Sequence, residues 1–141
     1  MGEHLIAEEI EEAVRAASAA VGAFVTDYSV GCLLPEATEA NPRHLYVVEF
    51  AGRALDDLGV REFCHRIDDR LVSLNDDYAA HRAKDFGLKP PDIVAVQPGT
   101  FARWMKKRGK LGGQNKVPRI INDADLFADL RAFVSRGNTM V

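Results

Sequence analysis

The chain has 141 residues, 47% of them apolar and 28% charged, which excludes a disordered segment and fits one compact domain with its own core. No apolar run approaches membrane-spanning length, and Met1-Gly2-Glu3-His4 lacks the basic start and apolar stretch of a signal peptide, so a cytoplasmic protein with no membrane partner is the default expectation. The net charge of −3 hides an asymmetry: Arg103, Lys106, Lys107, Arg108, Lys110, Lys116 and Arg119 lie between Gly99 and Arg119 with no acidic residue, while all 21 acidic residues fall elsewhere. One basic stretch on an acidic body points to a local anion site and argues against a nonspecific nucleic-acid binder. Cys32 and Cys64 are far apart and form no CxxC pair, as expected of small hydrophobic thiols in a reducing compartment.

Residues from Glu3 to about Ala20 read as a helix, with Ile6, Ile10, Val14 and Ala17 at helical spacing, glutamates crowding its first half, and Gly22 as a stop. Ala23 to Leu34, rich in Val, Phe and Tyr, reads as a strand. The stretch from Pro35 to Pro42 has turn composition. His44 to Ala51 is apolar on both faces and so reads as a central strand, most simply antiparallel to the one before it. Leu58 to Leu74 is an amphipathic helix through Val60, Phe63, Cys64, Ile67, Leu71 and Leu74. Asp76 to Phe86 extends it or forms a short second helix, which Gly87 and Pro90-Pro91 end.

Ile93 to Val96 is next, as a short buried strand, then a basic helix from Phe101 to Lys107 and a glycine-punctuated loop from Gly109 to Gly113. Val117 to Ile121 reads as a short edge strand, because Pro118 argues against a central one. The last helix starts near Asn122 or Asp123, buries Leu126, Phe127, Leu130, Phe133 and Val134, and is followed by Gly137. This order describes a single α+β domain: a small mixed or antiparallel sheet of three to four strands flanked by helices.

Chemistry is most legible in Gly112-Gly113-Gln114-Asn115-Lys116-Val117-Pro118-Arg119. Glycines allow close backbone approach, successive amides can cradle an anion, Gln114 and Asn115 add donors, and Lys116 adds a compact ammonium. The spacing is not that of a Walker A loop. On composition alone, a solvated basic loop explains the same residues.

The phrase KLGGQNKVPRI resembles the Asn-Gln-x-Lys-x-Pro-Arg signature near the C-terminus of the auxin-responsive Gretchen Hagen 3 family of acyl-acid amido synthetases. Gln114 aligns with the family glutamine, Gly113 replaces the asparagine, and Asn115 takes a position often held by Tyr. Three further phrases fall in the family's order: LYVVEF, LNDDYAAHR with Asn75, Tyr78 and Arg82, and PDIVAVQPGTF with Gly99, Thr100 and Phe101. GEHL at the start resembles the hinge before the family's C-terminal domain.

The resemblance implies that residues 1–141 are the mobile C-terminal lid of an adenylate-forming ligase whose large N-terminal ATP- and acid-binding domain is a partner in cis or in trans. It implies ATP and Mg in the full-length enzyme, activation of a carboxylic acid as an acyl-adenylate, and transfer of the acyl group to an amine such as an amino acid. Lys116 is then the catalytic lysine, with Gly112, Gly113, Gln114, Asn115 and Arg119 around phosphate. The isolated domain is expected neither to catalyse nor to hold a cofactor alone.

Other residues have plainer readings. His65, Asp68 and Asp69 read as a solvated helix face and not a metal site. Asp56-Asp57 and Asp76-Asp77 read as helix-end residues. Phe101, Trp104 and Met105 read as core anchors more than as a base-stacking platform. The alternative function is a freestanding module that uses Arg103–Arg119 to bind nucleotide, RNA or an acidic protein surface.

Overall fold

The computed structural model describes residues 5–33, 41–52, 54–83, 87–109 and 116–139, with side chains to Arg136. The element order is α1 (Ala7–Val21), β1 (Val25–Leu33), β2 (Arg43–Phe50), α2 (Asp57–Leu74), α3 (Asp76–Arg82), β3 (Asp92–Val96), α4 (Thr100–Lys107) and α5 (Ala124–Thr139). The strands form one mixed sheet in the order β1-β2-β3: β2 is antiparallel to β1 and parallel to β3. The reversal between β1 and β2 needs only a short connection, whereas the parallel step from β2 to β3 needs the crossover that α2 and α3 supply.

β2 is central because its sequence supplies apolar side chains to both faces, and His44 to Phe50 are all buried. Tyr46, Val48 and Phe50 join Tyr28 and Val30 of β1 beneath α1, α2 and α3, against Ile10, Val14, Phe63, Ile67 and Tyr78. Leu45 and Val47 face the other way, into a second core with Val96, Phe101, Trp104 and Met105, and with Phe127, Leu130 and Val134 of α5. Gly31 lets α5 come close: a Cβ there would stand 2.7 Å from the Phe127 ring.

Helix ends obey local chemistry. Gly22 closes α1 in the left-handed region, at φ 68°, with its N–H donating to Ser18 O. Asp56 caps α2 by accepting from Gly59 N at 2.7 Å, and Asp123 caps α5 by accepting from Asp125 N and Leu126 N. Asn75 caps α3 through Tyr78 N at 2.9 Å and donates from Nδ2 to Glu9 Oε1 at 3.0 Å, tying the starts of α1 and α3 together.

α4 begins differently. Gly99, at φ 88°, offers no side-chain cap, and Glu49 of β2 takes that role from across the second core. Its Oε1 accepts from Phe101 N at 2.9 Å and its Oε2 from Thr26 Oγ1 at 2.7 Å, although Glu49 is only 7% exposed. A carboxylate here also meets the positive end of the α4 dipole. Thr26 reaches it because the β1–β2 register shifts between Val25 and Asp27, a bulge that re-aims the intervening side chain.

The segment Asn75, Tyr78 and Arg82 converges on Asp68 of α2. Arg82 donates from Nε to Asp68 Oδ1 at 2.8 Å and from a terminal nitrogen to Oδ2 at 2.7 Å, and Tyr78 Oη donates to Oδ1 at 2.6 Å. Burial alone would raise the Asp68 pKa, but the hydrogen bonds from Arg82 and Tyr78 and the Arg82 charge hold it below the usual carboxylate value. Burial, then Asp68 itself, pushes the Tyr78 phenol up, so it stays a neutral donor.

Several expectations are corrected by packing. Asp68 is buried and paired, not part of a solvated face. Ile6 precedes α1 and is exposed, so the apolar stripe begins at Ile10. β3 lies at the sheet edge and buries only Val96. Val117–Ile121 makes a single parallel bridge, Ile120 with Val30, and α5 continues past Gly137 to Thr139. Cys32 is exposed, and neither it nor Cys64 is in a disulfide. Phe101, Trp104 and Met105 are all core residues, as expected.

Replacing Arg82 with Met strands a buried carboxylate and is expected to cost about 3 kcal/mol in denaturant unfolding, most of it recovered when Asp68→Leu is added. Because the folded pKa of Asp68 is depressed, its contribution is complete above the unfolded carboxylate pKa and is lost as pH falls through the folded one. Asp68→Asn should therefore show a shallower loss of Tm than wild type between about pH 5 and pH 3. Glu49→Ala should cost about 2 kcal/mol by orphaning Phe101 N–H and the Thr26 hydroxyl, while Glu49→Gln, which keeps an acceptor, costs less.

Candidate functional site

The basic stretch separates into cations that the fold uses and cations that it leaves outward. Arg103 donates to Thr100 Oγ1 at 3.3 Å, Lys107 lies 3.9 Å from Asp129, and the Arg108 guanidinium sits over the Trp104 ring at 4.9 Å. Trp104 itself donates from Nε1 to Asp129 Oδ2 at 2.9 Å, locking α4 to α5. Lys106 and Lys116 are exposed and have no ion-pair partner among the described residues. Lys110 and the candidate cradle Gly112, Gly113, Gln114 and Asn115 lie outside the described residues.

The segment after Lys116 is fastened to the outer edge of β1. Ser29 Oγ donates to Pro118 O at 2.5 Å, Val30 N to Arg119 O at 2.8 Å, and Ile121 N to Val30 O at 2.9 Å. The Arg119 guanidinium donates to Asp27 Oδ1 at 2.9 Å and to Tyr28 O at 3.2 Å, and stacks over the Tyr28 ring at 4.5 Å. Pro118 suits this edge because it has no N–H for a ladder to miss. Arg119 thus serves its own fold through Asp27, while Lys116, three residues earlier, shares an open recess of about 550 Å³ with Asp27, Val117 and Arg119.

Asp27, Tyr28 and Ser29 therefore fasten the segment that follows the candidate lysine, a role that the sequence alone does not reveal. Their one sequence signal is an Asp and a Ser inside an otherwise apolar and aromatic strand, and their partners lie some 90 positions away.

A second cleft, of about 350 Å³, opens at the β3 edge between α2 and Pro90–Ile93. It offers little reactivity. The Cys64 thiol donates to Pro91 O at 3.1 Å, and burial, then the Asp92 and Asp68 carboxylates, push its pKa to about 12. Asp68 and Arg82 at its floor are committed to each other. His65 pairs with Asp69 on the exposed side of α2. No group of three His, Cys, Asp or Glu side chains among the described residues is placed to share a metal ion. No helix among the described residues is long and apolar enough to cross a membrane.

Comparison with known proteins bears on the whole chain. Among solved structures, the AtGH3.15 acyl acid amido synthetase in complex with 2,4-DB superposes with a TM-score of 0.70 at 19% identity, over 90% of this chain. A second structure of the GH3.15 acyl acid amido synthetase gives the same TM-score and identity over 89%. Both likenesses establish the fold, and in each this chain spans only 23% of the other's length. None of the curated proteins compared matches the chain. The family model for the GH3 family C-terminal domain matches residues 8–125, from the first turn of α1 into α5. The chain belongs to the GH3 family, as its C-terminal domain.

Proposed function

We propose that this domain is the lid of an acyl-acid amido synthetase, joined in cis or in trans to a larger domain that binds ATP and a carboxylic acid. The reaction has two steps. The acid's carboxylate attacks the α-phosphorus of ATP and expels pyrophosphate, giving an acyl-adenylate. An amine such as an amino acid then attacks the acyl carbon and displaces AMP.

Lys116 carries the proposal. It is exposed, has no ion-pair partner among the described residues, and stands just ahead of a segment fastened to β1. Carboxylate attack on a phosphoryl group brings two anions together and builds negative charge on the phosphoryl oxygens. An ammonium brought to those oxygens stabilises that charge most in the transition state, which is what lowers the barrier. Lysine suits a site engaged only when a lid closes, because it is a compact charge on a flexible stem. ATP enters as a substrate held by the larger domain, with Mg accompanying its phosphates there.

Arg119 fits a supporting role better than direct phosphate binding, since one terminal nitrogen of its guanidinium already donates to Asp27 and the Tyr28 carbonyl and its charge is paired with Asp27. No observation on the described residues favours the freestanding module: four of the stretch's cations are engaged within the fold, and the aromatic side chains of α4 are buried.

In the full-length enzyme, Lys116→Ala should lower acid-dependent pyrophosphate exchange about 100- to 1,000-fold, the scale of losing one electrostatic transition-state contact. The Tm of the domain should not change, because an exposed lysine supports no core. Wild-type exchange in that variant would remove the lysine from the mechanism.

A further inference from the structure

Only Val117 separates Lys116 from Pro118, and Pro118 O is held by Ser29 Oγ at 2.5 Å. Two residues of extended chain span at most about 7 Å, so the Lys116 Cα stays within that distance of the Pro118 Cα. Proline locks its own φ and turns the residue before it away from helical backbone. The spacer between the lysine and its first anchor is therefore both short and stiff.

The anchor is built from two kinds of contact. Backbone bonds between Val30 and Arg119, and between Ile121 and Val30, lay the segment along β1, and any residue types could make them. The side-chain contacts are particular to this sequence. Ser29 is fully buried and donates its hydroxyl to the Pro118 carbonyl. The Arg119 guanidinium is held by Asp27 Oδ1 at 2.9 Å and lies over the Tyr28 ring at 4.5 Å. Asp27 lines the same recess as Lys116, yet its ion pair is with Arg119.

We propose that Asp27 is a positioning residue for Lys116. By holding Arg119 it keeps the segment from Pro118 to Ile121 against β1, and the stiff Val117-Pro118 step carries that placement to the lysine. The pair also engages the carboxylate that shares the lysine's recess. Asp27 touches no reacting atom; it acts through Arg119 on where the ammonium leaves the domain. This role rests on the lid reading of Lys116 and adds to it the residues that aim the lysine.

In the full-length enzyme, Asp27→Ala should speed hydrogen exchange at the Val30 and Ile121 amides about three- to tenfold, the effect of one charged hydrogen bond. It should lower kcat of acid-dependent pyrophosphate exchange about tenfold, within the cost of misplacing a reacting group by about 1 Å. KM for ATP should stay within about twofold of wild type, because the lysine's contact is made in the transition state. In a Lys116→Ala background the same substitution should cost less than about twofold, since nothing is left to aim. A purely structural pair would slow both backgrounds equally. Pro118→Ala keeps the carbonyl that Ser29 holds but frees the spacer, so it should lower kcat about three- to tenfold with the two amides still protected. Wild-type kcat in Asp27→Ala, an equal loss with and without Lys116, or a raised KM at unchanged kcat would each overturn the assignment. Were Asp27→Ala not to fold, wild-type kcat in Pro118→Ala would do the same. Wild-type exchange in Lys116→Ala would remove the lysine itself, whereas a large loss there with none in Asp27→Ala would remove only Asp27 from its support.

Discussion

β2 has no side that faces water, and the rest of the fold is arranged around that constraint. An eight-residue strand buried from His44 onward needs a cover on each face and a hydrogen-bonded neighbour on each edge. α1, α2 and α3 form one cover, α4 and α5 the other, and β1 and β3 are the neighbours. The edges that remain are then managed individually. β1 is completed by the backbone of Arg119 to Ile121, and short β3 begins after Pro90-Pro91, where a further ladder partner is not needed.

That arrangement explains why the buried charges sit where they do. Glu49 lies within β2, yet it is placed on the face where α4 begins, so one carboxylate satisfies an orphan helix N–H and the hydroxyl of a bulge residue. Asp68 lies beneath α3, where Arg82 and Tyr78 bring it three hydrogen bonds. Both are junction devices. They specify how one element meets another, a geometric requirement that apolar contact alone leaves loose. Each is costly to break on one side only, since the remaining partner stays buried.

The elements are legible in the sequence because each has its own period. The unbroken apolar run of HLYVVEF identifies the central strand, the spacing of Phe63, Ile67 and Leu71 identifies α2, and Asp56 and Asp123 mark helix starts. The four family phrases also point correctly to the family that residues 8–125 match. Pairings between distant residues are less visible. Nothing local separates Asp68, which is buried, from Asp69 beside it, which is exposed; only the arrival of Arg82 does. Asp27 likewise reads as an isolated polar residue in a strand until Arg119 is placed against it. The strand around Ile93 reads as buried from its composition, whereas an edge position leaves much of it in contact with solvent.

Lys116 stands at the start of a segment fastened to β1, and on the proposed reading this position has energetic meaning. A catalytic cation must be aimed without being neutralised beforehand. Had Lys116 been fastened by Asp27, closure would first have to break that pair, and the attraction gained at the phosphate would be offset by the one lost. Arg119 occupies Asp27 instead, and the Ser29, Val30 and Tyr28 contacts hold the backbone close behind the lysine. The ammonium is therefore exposed and without an ion-pair partner among the described residues, while the segment just after it is fixed. On the proposed lid reading, less ordering entropy then remains to be lost on closure, which is how a small domain contributes to catalysis in a pocket that a larger partner supplies.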